Sequence, residues 1–393
     1  MFEYLRKKLD ELLGSLINPI WERVLRAPWW LRLLILILLA PVAYGLYAPE
    51  SVGHYLKLSA AIARVARTPG HRIPITAQTL DRVTEVAERL AATLEGDIAS
   101  PERPEMNPWV MSQETLGGHT LNKNLNSHKV AAYVRVHADQ SCSCWRDIPD
   151  NPARPHNVFI SGWVLSALAQ IGEPATAGEV GFVLKEQKPD GWWPVYPVDD
   201  DTPFASSYST AWSLIGLHEQ GAGPLRNDAG SPDALAAMHR GSSWLLSRRQ
   251  HGSRWKDYPL LPNGVVSESI SGVVLHALHQ TATGRLRQID AEWLDSLPET
   301  LLSASDADHT YIWYKAKEAW TNDDYVQIRL PWLLVGTVDA YENGSVLQRA
   351  KALLWIEDAL AQPSIATADT IVENWWRAEI LFGLRYVLEA ARD

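Results

Sequence analysis

The sequence predicts an all-helical body of repeated hairpins carried behind one N-terminal membrane segment. Three observations predict it: an uncharged apolar run near residue 40, helix-spaced apolar residues through most of the remainder, and a tryptophan-led segment that recurs. At 393 residues, 46% hydrophobic and 21% charged, the chain has the composition of a folded protein. Tryptophan is the outlier, with 18 copies against 5 phenylalanines, which suits repeated aromatic positions in a layered helical fold.

Charge is unevenly spread. The first 32 residues hold six basic and four acidic side chains, so the net −10 becomes +2 there and −12 over the rest. An acidic body excludes a nucleic-acid binder, which needs clustered Lys and Arg to displace counterions. A basic head fits contact with anionic lipid.

Residues 1–28 read as an amphipathic membrane-proximal helix, with Phe2, Leu5, Leu9, Leu12, Leu13, Leu16 and Ile17 at helical spacing. Residues 29–48 follow as a single transmembrane anchor. The span carries no charge from Leu33 to Tyr47, and Trp29, Trp30, Tyr44 and Tyr47 sit near its ends as an interfacial belt. Arg23, Arg26 and Arg32 on one side are matched by Lys57, Arg64 and Arg67 on the other. Lys7 and Lys8 tip the positive-inside balance toward a cytoplasmic N-terminus and a body outside the cytoplasm. Residues 49–108 form a helical linker region with amphipathic patterns at 52–67 and 76–95, closed by the proline-rich stretch 100–108.

From 109 to 393 the repeats dominate. Trp145, Trp193 and Trp255 each open a segment with a proline four residues on, a polar loop, and a helix of small and apolar residues. A weaker fourth copy starts at Trp320. Second helices at 176–187, 232–249 and 345–360 separate the copies, and the pattern contains no strand signals. Stacked hairpins follow, with the small-residue helices inside and the three indoles at equivalent corners.

Before Trp193 stand Gln187 and Gly191 in a Q-x-x-x-G-x-W arrangement, and Gln250, Gly252 and Trp255 repeat it loosely. This resembles the repeat motif of the terpenoid cyclase and protein prenyltransferase superfamily. The resemblance spans about 109–390 and implies an α/α toroid, in which the Gln caps a helix beside the Trp and ties one hairpin to the next. The squalene–hopene-type members carry an Asp-x-Asp-Asp-Thr-Ala motif after a Tyr-Pro, whose middle acid protonates an alkene or epoxide. Tyr196-Pro197 and then Asp199, Asp200, Asp201 and Thr202 are similar to it, which implies Asp200 or Asp201 as a general acid. The stretch departs from the motif at Val198, where no spaced first Asp stands, and at Pro203. It has room for one helical barrel, where those cyclases place the acid between two. The prenyltransferase Zn set of Asp, Cys and His has no match here, nor has the Cys-Gly-Glu-Gln of thioester toroids.

In a toroid the residues just before each inner helix share one rim. His156 and Asn157, then Ser207 and Tyr208, then Glu268, then Asp323, Asp324 and Tyr325 are therefore candidate ligand-binding residues, although helix capping accounts for Ser, Asn and Asp at such places equally well. Phe159, Trp163, Trp212 and Trp332 lie beneath as core or lining. Cys142 and Cys144 read as small loop or core residues. A bridge across one residue is strained, and a metal would need ligands beyond the two cysteines; there is no second Cys pair, and His128, His137 and His156 are the nearby candidates. The sequence thus implies no metal and no cofactor. The C-terminal NWWRAEILFGLRYVLEAARD should close the ring as an amphipathic helix, with Arg377 and Glu379 on its surface or in pairs.

Three readings follow. The first is a membrane-anchored, non-catalytic binding or scaffold module whose partners are membrane lipid and a protein or an apolar, isoprenoid ligand. The second is an isoprenoid cyclase using the 199–201 triplet. The third is a carbohydrate-active toroid with Glu268 and Asp324 as paired carboxylates.

Overall fold

A computed structural model describes residues 49–392 except 69–71, 100–105, 119–126, 148–150, 152–154, 198–202, 223–231, 285, 300–301 and 317–318. The expected amphipathic helix at 1–28 and anchor at 29–48 lie outside the described residues, as does the acidic triplet Asp199, Asp200 and Asp201. Among the described residues no helix is long and apolar enough to cross a membrane. The chain divides into two compact units, Met1–Ala60 and Ala61–Asp393. Of the first, the described part is the opening of helix α1 (Pro49–Arg67).

The second unit is mostly helical. Its helices are α2 (Ala77–Ala99), α3 (Pro108–Gly118), α4 (Ser127–Val136), α5 (Val158–Gln170), α6 (Ala177–Glu186), α7 (Ser207–Ala222) and α8 (Pro232–Ser247). They continue as α9 (Glu268–Thr281), α10 (Arg287–Asp295), α11 (Leu330–Tyr341), α12 (Val346–Leu360), α13 (Pro363–Ala366) and α14 (Asn374–Arg392). Six of these pack in succession: α3 on α5, α5 on α7, α7 on α9, α9 on α11, α11 on α14, and α14 on α3. The others lie against this series, α4 on α3, α6 on α5, α8 on α7 and α9, and α10 and α12 on α11. Helix α2, read from sequence as part of a linker, packs on α14 and α3 through Val83, Val86, Leu90 and Leu94.

Burial explains why α5 lacks amphipathic spacing, and α14, although amphipathic, is buried all round over its middle turns. Eleven consecutive residues of α5, Val158 to Leu168, are buried, and all of Ala378 to Arg385 in α14 are too. A helix apolar or small on every side is one surrounded by others. Glycine permits the closest approaches. A Cβ on Gly272 would stand 2.2 Å from the carbonyl oxygen of Trp332, and one on Gly162 would stand 2.5 Å from that of Trp212.

The three tryptophan corners have equivalent surroundings. Trp145, Trp193 and Trp255 are fully buried. Their Nε1 groups donate to Val134, Val183 and Leu245 carbonyls at 2.6, 2.7 and 2.8 Å, each 10 or 11 residues upstream. The backbone amides of Trp193 and Trp255 also bond matching hydroxyls of the next helix, Thr210 and Ser271. Gln187 Nε2 donates to Gly191 O and Ala237 O, tying α6 to α8, whereas Gln250 Nε2 donates to Arg248 O close by.

The fourth copy differs. Residues from Trp320 form strand β4 (Ala319–Ile328), antiparallel to β3 (Ala307–Ala316) with Ala316 opposite Ala319 and Ala307 opposite Ile328. The expectation of a strand-free pattern is corrected: Thr310, Tyr311, Ile312, Trp313 and Tyr314 are β-branched or aromatic and suit a pleated ladder better than a loop. A two-residue pair, β1 (Trp255–Lys256) with β2 (Val266–Ser267), makes a second small sheet.

Candidate functional site

Side chains from the six successive helices meet in three layers. The first is formed by the opening turns. Trp109 of α3 stands edge-on to Phe159 of α5 at 5.1 Å, Phe159 contacts Tyr208 of α7 at 5.4 Å, and Tyr325 of β4 lies against both Trp109 and Tyr208. The hairpin therefore reaches across these helix starts, and Trp313 of β3 stacks on Phe204 at 4.8 Å. Burial raises the Tyr208 and Tyr325 hydroxyls above the ordinary phenol range. A cavity of about 530 Å³ opens here, lined among others by Trp109, Tyr325, Trp375, Trp376 and Gln113. A second, of about 690 Å³, lies beside Asp257, Tyr258, Asp308, Trp313 and Arg329.

The middle layer is aromatic around one acid. Trp163 and Trp212 stack at 3.4 Å, and Trp332 stands edge-on to both. Glu379, 2% exposed, accepts from Trp332 Nε1 at 3.1 Å and from Gln113 Nε2 at 2.9 Å. Both partners are neutral, so burial pushes the carboxyl up to about 8. The sequence reading of Glu379 as a surface or pairing residue is thus corrected. Arg377 does pair, with Asp97 at 3.0 Å.

The third layer is polar. Asp339 accepts from Tyr386 Oη at 2.7 Å and from His276 Nδ1 at 2.9 Å, and Gln280 Nε2 lies 2.9 Å from His276 Nε2. Burial opposes the Asp339 charge, but His276 beside it holds the carboxyl below its usual range. Glu219 is raised by burial although Ser166 donates to it. Arg385 crosses to the Leu116 carbonyl.

The predicted rim residues separate into groups. Asn157 caps α5 through Ile160 N at 3.1 Å. The Ser207 and Tyr208 amides both donate to Asp257, the first to its backbone oxygen and the second to its carboxylate. Asp308 does the same for α9, accepting from the Ser269 amide and from the Ser267 and Ser269 hydroxyls, and it forms an ion pair with Arg329. Asn157 is therefore a helix cap, whereas Ser207 and Tyr208 are themselves capped, and Asp257 and Asp308 are the carboxylates the sequence reading missed. Tyr208 packs against Tyr325, and of the two Tyr325 lines the first cavity, together with Asp324. Asp323 pairs with Ile312 in the hairpin. Asp324 is exposed with His309 Nδ1 at 3.3 Å, and Glu268 faces Arg329 at 4.0 Å and lines neither cavity.

His156 stands apart from the mouth. Its Nε2 donates to Asp139 at 3.0 Å, near Cys142 and Cys144. The two cysteines are joined in a disulfide, correcting the reading of them as unlinked loop residues. Ser143 between them takes a left-handed φ of 55°, which brings the Cα atoms to 5.3 Å, within disulfide range. Asp139 is held well below the usual carboxylate range by the Ser141 hydroxyl, then by His156 and the Ser141 amide.

Neither a scan of protein-family models nor a search of curated proteins returns a match to this chain.

Proposed function

We propose that this chain is a membrane-tethered α/α toroid acting as a binding or scaffold module, with an apolar ligand of isoprenoid-like chemistry taken up at the mouth. The cyclic helix packing and the equivalent tryptophan corners support the toroid and its likeness to the terpenoid cyclase and prenyltransferase superfamily. One observation carries the binding function: the cavity of about 530 Å³ walled by Trp109, Tyr325, Trp375 and Trp376, with the Gln113 amide among them. Its size and aromatic walls suit a small, largely apolar molecule, and Asn107, Gln113, Asp324 and Glu373 on the same lining would meet a polar end such as a hydroxyl. An anchor at 29–48 would keep the body within reach of lipid-dissolved ligands, and its charge balance supports a body outside the cytoplasm.

A cyclase is the second reading, supported by Glu379, a buried acid protonated near neutrality among indoles. The Trp163–Trp212 stack and Trp332 occupy the space a folding polyene would need, which favours binding over turnover. The test is titration of a long-chain isoprenol into the full chain in detergent, followed by tryptophan fluorescence. Saturable quenching that weakens at least tenfold in Trp376→Ala supports binding at the mouth; equal affinity in that variant refutes it. Formation of a cyclised product, abolished in Asp201→Asn or Glu379→Gln, would establish the enzyme instead.

A further inference from the structure

We propose that Cys142, Cys144 and His156, with the two sulfurs reduced, form a binding site for a borderline-soft divalent cation, Zn2+ by preference. The site is distinct from the mouth and independent of the function proposed for it. One ligand atom from each residue lies within 4.8 Å of the other two. Tetrahedral Zn2+ with bonds of about 2.1–2.3 Å needs ligand atoms roughly 3.5–3.8 Å apart, so once the disulfide is reduced the two sulfurs must part from bonding distance by side-chain rotation, while His156 stays within reach.

The backbone is shaped for this convergence. Asp139 N donates to Cys144 O at 2.9 Å, while Cys142 N and Ser143 N both return to Asp139 O at 3.2 and 2.8 Å. With the left-handed Ser143, this closes a tight turn that holds both sulfurs on one side. Thiolate and imidazole together select Zn2+ and softer ions over Mg2+ or Ca2+.

The supporting residues match what a metal-binding histidine requires. Asp139 Oδ2 takes the Nε2 proton of His156, which fixes the tautomer and leaves Nδ1 as the nitrogen with a lone pair for a cation. Asp139 is itself held by Arg146 at 2.9 Å and by the Ser141 hydroxyl at 2.6 Å. His128 and His137 are engaged elsewhere, with Glu173 and with the Tyr133 carbonyl. Cys144 is buried, whereas Cys142 and His156 are half-buried, so an ion has a route in. Three protein ligands leave one position for water.

Oxidised, the two sulfurs bond to each other and the site is closed. A phosphine reductant opens it: the phosphine takes the oxygen of one water, and that water's two hydrogens end on the two sulfurs. Binding Zn2+ then releases those two protons to solvent.

The test uses the full chain in detergent, reduced with a phosphine under nitrogen and titrated with Co2+ and then Zn2+. We expect one equivalent of Co2+, with thiolate charge-transfer absorption in the near ultraviolet, displaced by Zn2+ and absent from the oxidised chain. Cys142→Ser/Cys144→Ser should abolish the signal, and His156→Ala and Asp139→Asn should each weaken binding at least tenfold. Binding by the reduced chain no tighter than by the double serine variant overturns the proposal. So does equal affinity in His156→Ala. Should the serine variant fail to fold by circular dichroism, the comparison of wild type with His156→Ala decides.

Discussion

Replacing Glu379 with glutamine should remove one large contribution to the pH dependence of stability. The carboxyl rises from an ordinary 4.5 to about 8 on burial. Its proton is therefore held more tightly in the folded chain than in the unfolded one. The associated stability is fully present below pH 4.5 and is lost as pH climbs through 8. At about 1.4 kcal/mol per unit, the loss by pH 7.5 approaches ~4 kcal/mol relative to pH 4.5. Glutamine is neutral throughout. Its carbonyl can keep the Trp332 indole bond, while the Gln113 amide turns over to accept from the new NH2 group, at a cost of about 1 kcal/mol. Glu379→Gln should then be more stable than wild type by about 2–4 kcal/mol at pH 7.5 and equal or slightly weaker at pH 5. Urea unfolding followed by tryptophan fluorescence at both pH values measures this. The same difference between variant and wild type at pH 5 and 7.5 would refute the burial argument.

Other perturbations test the packing. Gly272→Ala forces a methyl against the Trp332 carbonyl and should cost about 1–3 kcal/mol in urea denaturation. Trp193→Phe strands the Val183 carbonyl and opens a void, with a loss of about 2–4 kcal/mol in the same assay. Asp308→Ala removes the acceptor shared by Ser267 and Ser269 and the ion-pair partner of Arg329, and thermal melting should show a loss of about 1–3 kcal/mol.

Local pattern carried much of this architecture. Trp145, Trp193 and Trp255 recur at fixed distance from a small-residue helix because each indole bonds a carbonyl within its own hairpin, so the signal is written in a short stretch. Glu379 was illegible for the opposite reason. Its partner Gln113 is 266 residues away, and an acid in a helix otherwise looks like a surface position. The β3–β4 hairpin was hidden by a repeat template that fitted Trp320 and the helix after it, although Tyr311 to Tyr314 carried the strand chemistry. The capping carboxylates Asp257 and Asp308 act on helices that begin some 50 and 39–41 residues from them, beyond the reach of local capping rules. His156 joins the cysteines through Asp139, 17 residues earlier, across a turn that only Ser143 φ explains.

Because α14 seals against both α3 and α11, the apolar interior stays incomplete until α14 has been synthesised. Until it emerges from the ribosome, α3 and α11 present bare flanks rich in Leu, Val and Trp, a hazard for aggregation that a chaperone would have to shield. Nascent chains stalled before Asn374 should accordingly associate with one another more than chains long enough to include α14.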